Sequence, residues 1–278
     1  MNSTLMLEFN RIYNCDVLEG LSHLADSSVD CIITSPPYNK AGFNGRKTKC
    51  PKTNWQLTID YGGDMDVDCM PESEYEDWQI RVLNECFRVL KDDGSMFYNH
   101  KVRIKDNQIS HPLEWIARSA FRCRQIITWD RCRLGPNISP IRYIPESELI
   151  FWLAKGKENP RFKRSPNCQF KGDVWRIPPQ VNTEHPAPFP EAIPDNILDC
   201  MPEGIVVLDP FMGSGTVAVS AVKHHDYYIG FELFPEYITM ADDRLREVPG
   251  WTVKWGKGFG TDVTVTDIPV VSGEIGSM

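Results

Sequence analysis

The chain has 278 residues, 41% of them hydrophobic, and a formal net charge of −8, enough apolar material for one large α/β core with a small insertion. No stretch reaches the uninterrupted apolar length of a membrane span, and Met1–Asn10 lacks the basic-then-apolar pattern of a secretory leader. Nine cysteines with no Cys-x-x-Cys pair argue against a disulfide framework and a zinc site, so a reducing, cytoplasmic setting with no bound metal is expected.

Arg11 to Asp16 reads as a short strand, and Leu18, Leu21 and Leu24 mark the helix that follows. Val29 to Ile33 is an apolar, β-branched run of the kind that forms a buried strand. It stops at Ser35-Pro36-Pro37-Tyr38, because prolines supply no ladder donors and push their predecessors out of the helical region. The turn leaves at the carboxyl end of the strand, where open α/β sheets bind ligands. It offers a hydroxyl, prolyl carbonyls and an aromatic face, which suit a planar base bearing an exocyclic amine. The simpler alternative is a strand that prolines merely terminate.

Residues 39–68 are long, polar and glycine-bearing, as functional loops are. Ser73-x-x-Glu76 has the form of a capping box. It opens a helix whose apolar face is Tyr75, Trp78, Val82, Cys86, Phe87 and Leu90, with a stop at Asp92-Asp93-Gly94. Strands over 95–98, 125–129 and 148–153 and a helix over His111 to Ala120 come next. Residues 155–176 hold seven basic residues without a period, which marks an inserted recognition element. A proline-dense stretch to Pro194 precedes a short helix, then a strand over 205–208, a helix over 215–223, a strand over 227–231 and a helix over 235–246. From Trp251 an edge strand at most is expected, then a loose tail.

Charge is unevenly spread. Residues 39–57 hold five basic residues and no acid, and residues 99–176 hold sixteen basic against seven acidic. A polyanion would be drawn to these blocks despite the negative total.

Leu208-Asp209-Pro210-Phe211-Met212-Gly213-Ser214-Gly215-Thr216 joins a buried strand to a helix through a glycine turn, where free N–H groups meet a ligand. Glu232 ends the next strand, close to the spacing at which a carboxylate meets ribose hydroxyls. Gly213-x-Gly215-x-x-Ala218 also satisfies a loose dinucleotide fingerprint, so a nicotinamide cofactor is a rival. Only 63 residues follow Gly215, too few for the sheet that a dinucleotide fold builds after this motif. An acid before the turn suits a cation better than a pyrophosphate. S-adenosylmethionine, with its ammonium, sulfonium and ribose, fits better.

Together, Thr34-Ser-Pro-Pro-Tyr-Asn39 and Asp209-Pro-Phe-Met-Gly-Ser-Gly-Thr216 resemble the amino-group DNA methyltransferases, in particular the permuted β group, whose catalytic motif precedes its cofactor motif. The likeness extends to Asn14-Cys-Asp16, Trp129-Asp-Arg131, Asp173-Val-Trp175, His185-Pro-Ala-Pro-Phe-Pro190 and Tyr228-Ile-Gly-Phe-Glu232, and so covers roughly residues 9–247. It implies a Rossmann-like seven-stranded sheet, mostly parallel with one reversed strand and helices on both faces. Residues 1–250 would form the methyltransferase domain, with a catalytic part over 9–154, a recognition insert near 155–180 and a cofactor part over 181–250.

The resemblance also implies roles. Asp209, Phe211, Gly213, Gly215 and Thr216 would line the methionine end of the cofactor. Glu232 would take the ribose hydroxyls, and Asp16 would lie near the adenine amino group unless it is only a helix cap. Ser35, Pro36, Pro37 and Tyr38 would hold the target amine. Arg46, Lys47, Lys49, Lys163 and Arg164 would meet double-stranded DNA, and a cognate restriction endonuclease is a further implied partner.

Chemistry follows from the substrate. The lone pair of an exocyclic amine is conjugated with its base, so bonds to Ser35 and the Pro36 carbonyl would pull the nitrogen toward tetrahedral geometry for attack on the sulfonium methyl. The base must first leave the duplex, and Tyr38 is the expected stacking partner. A cytosine-C5 mechanism needs a cysteine nucleophile, typically after proline, and no Pro-Cys dipeptide occurs. Within the resembled family an acid in place of Ser35 is typical of adenine-N6 enzymes and serine is associated with cytosine-N4. N4-cytosine is therefore favoured, with N6-adenine as the alternative and an RNA or protein substrate more distant.

Overall fold

The computed structural model describes residues 8–39, 70–105, 107–133, 143–156, 160–166, 168–180 and 190–249. Arg46, Lys47, Lys49, His185 to Phe189 of the proline-rich motif and the stretch from Trp251 lie outside them.

The elements are β1 (Arg11–Asn14), α1 (Val17–Ser22), β2 (Val29–Thr34), α2 (Glu72–Val89), β3 (Leu90–His100), β4 (Arg103–Lys105), β5 (Gln108–Ser110), α3 (Leu113–Ile116), β6 (Arg122–Asp130), β7 (Ser147–Ala154), β8 (Val174–Arg176), α4 (Ala192–Leu198), β9 (Val206–Asp209), α5 (Thr216–Lys223), β10 (Tyr227–Glu232) and α6 (Pro235–Arg246). One sheet runs β1-β10-β9-β2-β3-β7-β6-β8, and β4 and β5 form a separate hairpin. Every neighbouring pair is parallel except those made by β7, which is the single reversed strand. The sheet thus has the expected architecture plus an eighth strand. The addition is β8, a three-residue strand paired with the end of β6 inside the segment expected to be aperiodic.

β2 is buried along its whole length, as a central parallel strand covered on both faces must be. Cys31 and Ile33 point to one face, toward a core shared with Ile197 of α4, Val217 of α5 and Ile238 of α6. Ile32 points to the other, joining Leu21 of α1, Tyr75, Trp78 and Val82 of α2 and Trp115 of α3. Among the described residues no helix is long and apolar enough to cross a membrane.

Three local expectations change. α2 opens at Glu72 behind Pro71, without a side-chain cap. Its acids are engaged elsewhere: Glu72 pairs with Arg103, and Glu76 with Arg118. The helix passes into β3 at Leu90, and Asp92-Asp93-Gly94 lies inside the span of β3. β2 advances two residues between Val29 and Cys31 while β3 advances five, so Lys91 to Gly94 bulge out instead of stopping the helix. The helix expected over 111–120 is confined to α3, four residues behind Pro112.

Candidate active site

Because β1, β10, β9, β2 and β3 are parallel, their last residues collect at one edge: Asn14, Glu232, Asp209, Thr34 and His100. β7 runs the other way, so its first residues, Ser147 and Glu148, arrive at the same edge opposite Asp130 and Trp129.

Two buried carboxylates face the glycine turn. Asp209 is 4% exposed and uses Oδ1 for both of its hydrogen bonds, from Thr34 Oγ1 at 2.7 Å and from the Phe211 N–H at 3.0 Å. Its Oδ2 accepts nothing among the described residues. Burial pushes the Asp209 carboxyl up to about 7, against the pull of those two bonds, with Glu232 adding to the rise. Glu232 accepts the Gly213 N–H at 2.8 Å and the Phe234 N–H at 2.9 Å, and burial raises it to about 7 as well. Gly213 and Gly215 take left-handed φ values of 52° and 79°. Arg244 of α6 ties the turn down, donating to the Ser214 carbonyl at 2.7 Å and to Thr216 Oγ1 at 3.0 Å. Phe211 packs edge-on to Trp78 at 5.7 Å. An available oxygen on a buried acid, a second acid one strand away and a backbone bared by glycines fit a cationic ligand bearing hydroxyls. Asp16 is the N-cap of α1, with Oδ1 accepting the Leu18 N–H at 2.8 Å.

Beside this half lies the Ser-Pro-Pro-Tyr turn. Ser35 Oγ is 2.8 Å from the Tyr38 hydroxyl, which donates to Glu148 Oε2 at 3.0 Å. Asn99 Nδ2 lies 2.6 Å from the Tyr38 oxygen, 3.3 Å from Ser35 Oγ and 3.2 Å from Glu148 Oε2. The Pro37 carbonyl accepts from Tyr75 at 2.7 Å, and Tyr75 also meets His100 Nε2 at 2.7 Å. Asn39 closes the turn, bonding Met70 in both directions and Glu72, whose partner is the buried Arg103. Tyr38 therefore presents no open stacking face here. It is 8% exposed, its ring packs on His100 at 4.6 Å, and three polar groups hold its hydroxyl inward.

Lys163 and Arg164 do not join this edge. The chain leaves β7 at the opposite edge, where Lys155 meets Asp92 at 3.4 Å and Arg161 meets Asp30 at 2.9 Å and Asp93 at 2.5 Å. The Lys163 N–H donates to the Cys200 carbonyl, and Arg164 lines a cavity of about 400 Å³ with Trp152, Phe162 and Phe170. Only the end of the expected recognition insert returns, with Arg176 on β8 at 3.5 Å from Asp130.

The profile of the DNA methylase family N6_N4_Mtase matches residues 29–243. The chain belongs to this family. Among its relatives are the type II methyltransferases M.BglII of Bacillus subtilis, 28% identical over 275 residues (86% of this chain, 70% of the relative), and M.Cfr9I of Citrobacter freundii, 29% identical over 289 residues (86% and 89%). The solved structure of a DNA modification methylase from Thermus thermophilus, described as complexed with S-adenosyl-L-methionine, superposes with a TM-score of 0.62 at 23% identity and covers 88% of this chain and 99% of that one. The protein is a DNA methyltransferase of the kind that acts on an exocyclic amino group. The Asp209–Glu232 half of the site fits the chemistry of S-adenosylmethionine, a cation bearing ribose hydroxyls.

Three participants in the site were not foreseen from sequence: Asn99, Glu148 and Arg244. Asn99 directly follows the strand expected over 95–98, and Glu148 opens another, which is the signal a topology would have turned into a site.

Proposed function

We infer that the enzyme methylates the N4 amino group of cytosine in double-stranded DNA. The observation that carries this reading is Ser35, a hydroxyl where an adenine-type clamp would hold an acid, anchored 2.8 Å from Tyr38 at the end of β2. Asp209 would meet the donor's ammonium, Glu232 its ribose, and Phe211, Gly213, Gly215 and Thr216 its methionine end; Asp16, although a helix cap, keeps Oδ2 for the adenine side. S-adenosylmethionine supplies a methyl group activated by a sulfonium. The chain's own part is to hold the amine in line with it: Ser35 and the Pro36 carbonyl accept its N–H groups and localise the nitrogen lone pair, while Pro36 and Pro37 fix the turn's φ. The test is digestion of plasmid DNA methylated by the enzyme, followed by mass spectrometry of the nucleosides. N4-methyldeoxycytidine is expected; N6-methyldeoxyadenosine would overturn the choice of base.

The DNA face should be the clamp edge, where Lys101, Arg131, Arg133 and Arg176 gather at the ends of β3, β6 and β8. Arg133→Glu with Arg176→Glu should weaken duplex binding about 10-fold or more and flatten its salt dependence. Lys163→Glu with Arg164→Glu should leave it within about 3-fold. Gel-shift titrations at two salt concentrations decide between the two surfaces.

A further inference from the structure

The hydrogen bonds at the clamp have a direction, set from Glu148. An ionised carboxylate only accepts, so the Tyr38 hydroxyl, 3.0 Å away, gives its proton to Glu148 Oε2. Asn99 Nδ2 only donates, and it occupies one lone pair of the Tyr38 oxygen at 2.6 Å. The remaining lone pair faces Ser35 Oγ at 2.8 Å, so Ser35 donates inward. Both hydroxyl protons then point toward Glu148, and Ser35, one of whose lone pairs faces Asn99 Nδ2 at 3.3 Å, turns the other outward, where an amino N–H needs an acceptor. The other end of Glu148 is held by Arg131, with Nη1 3.6 Å from Oε1. Tyr38 also has His100 against its ring and Lys101 above it at 5.5 Å. Burial, and then the Glu148 charge, hold the Tyr38 hydroxyl well above the usual tyrosine range, so it can pass a proton on but does not remain ionised.

We propose that Glu148 ends a proton relay, Ser35–Tyr38–Glu148, which keeps Ser35 an acceptor for the target amine and removes the amine's proton as the methyl group is received. The proposal rests on the reading of Ser35 given above. The amine's lone pair forms the new bond to the methyl carbon as the carbon–sulfur pair returns to sulfur. The nitrogen, now cationic, gives a proton to Ser35 Oγ; the Ser35 proton moves to Tyr38, and the Tyr38 proton to Glu148. A neutral N-methyl amine and a protonated Glu148 remain, and Glu148 returns the proton to water. Glu148 touches no substrate atom and acts through the two hydroxyls, so it is a positioning residue.

The decisive variant is Glu148→Gln. Its carbonyl would face Arg131 and its NH₂ would face Tyr38, reversing the chain and turning Ser35 into a donor. Single-turnover methylation of plasmid DNA should slow about 10- to 1000-fold, while duplex affinity and S-adenosylmethionine affinity stay within about 2-fold. Glu148→Asp, which keeps the acceptor, should recover a substantial part of the rate. A readout independent of activity is the alkaline absorbance titration of tyrosinate in the enzyme alone: Tyr38, assigned with Tyr38→Phe, should ionise at lower pH once the carboxylate is gone. A wild-type rate in Glu148→Gln, no recovery in Glu148→Asp, or an unmoved Tyr38 titration would overturn the relay. Ser35→Ala, run alongside, separates the layers. If it is slow while Glu148→Gln is fast, the relay alone fails; if it is as fast as wild type, the reading of Ser35 fails with it.

Discussion

Asp209→Asn should melt higher than the wild-type chain at pH 8 and bind S-adenosylmethionine far more weakly. The Asp209 carboxyl stands at about 7 in the fold against 3.8 for an ordinary aspartate. The folded state therefore holds a proton that the unfolded state has released between those two values. Stability from this group is fully present below 3.8 and is lost as pH rises through about 7. At pH 8 the cost of keeping the buried charge is on the order of 4 kcal/mol. Asparagine keeps an oxygen for Thr34 and the Phe211 N–H, as Asp209 Oδ1 does. Part of the cost should be recovered, raising the melting temperature by about 3–8 °C at pH 8, and the gain should shrink toward pH 5. Removing one partner of a desolvated charge pair typically costs 2–5 kcal/mol, so cofactor affinity should fall roughly 30- to 3000-fold. Calorimetry and a pH series of melting curves measure both. Unchanged affinity would remove Asp209 from the cofactor site, and a lower melting temperature at pH 8 would mean that its charge is satisfied in a way the geometry does not provide.

Glu232 has a similar rise but should not behave in the same way. Both of its oxygens accept backbone N–H groups, Gly213 on one and Phe234 on the other. An amide can accept at only one of these positions, so relief of the buried charge is offset by an unpaired N–H. A buried acid at a strand end can thus serve as a charge awaiting a partner, as Asp209 does, or as a clip on a turn.

This difference marks how far the sequence could be read. Ser35 and Asp209 were legible because each follows a short apolar run and precedes residues with restricted backbones, prolines in one case and glycines in the other. They end on neighbouring strands, with Ile32 paired to Leu208. Glu148 was not legible, because its place depends on β7 being the reversed strand and on β6 lying beside it, and hydrophobic alternation carries no strand direction. The same reversal sends the chain after β7 to the far edge, which moved Lys163 and Arg164 away from the clamp. The helix stop at Asp92-Asp93-Gly94 failed for a related reason: Val29 pairs with Leu90, and that long-range pairing began the strand before the local turn signal was reached. For Asp16 and Glu232, capping α1 and clipping the Gly213 turn are contacts that spacing alone does not reveal.

Gly215 offers the sharpest test of the cofactor turn, because conformation and space can be varied separately at three glycines. Gly215 has φ of +79°, and a Cβ there would lie 2.6 Å from the Cβ and 3.0 Å from the Cα of Ala241 on α6. Gly204 has a similar φ of +76° with nothing within 4 Å, and Gly172 has neither constraint. A left-handed alanine costs roughly 1–2 kcal/mol, and forcing a methyl into a packed contact typically adds 1–3 kcal/mol. Gly172→Ala should therefore melt like wild type, Gly204→Ala should lose a few degrees, and Gly215→Ala should lose about 5–15 °C. The close contact at Gly215 is with helix backbone as well as side chain, so the clash can be relieved only by moving α6 away from α5 or by lifting the turn. α6 also carries Arg244, which holds Ser214 and Thr216, so either movement disturbs the N–H groups at the start of α5. Gly215→Ala should then lose cofactor affinity beyond what its stability predicts, whereas Gly204→Ala should keep it. If Gly215→Ala and Gly204→Ala melt together and bind the cofactor alike, the packing of α6 against the turn is not what shapes the site.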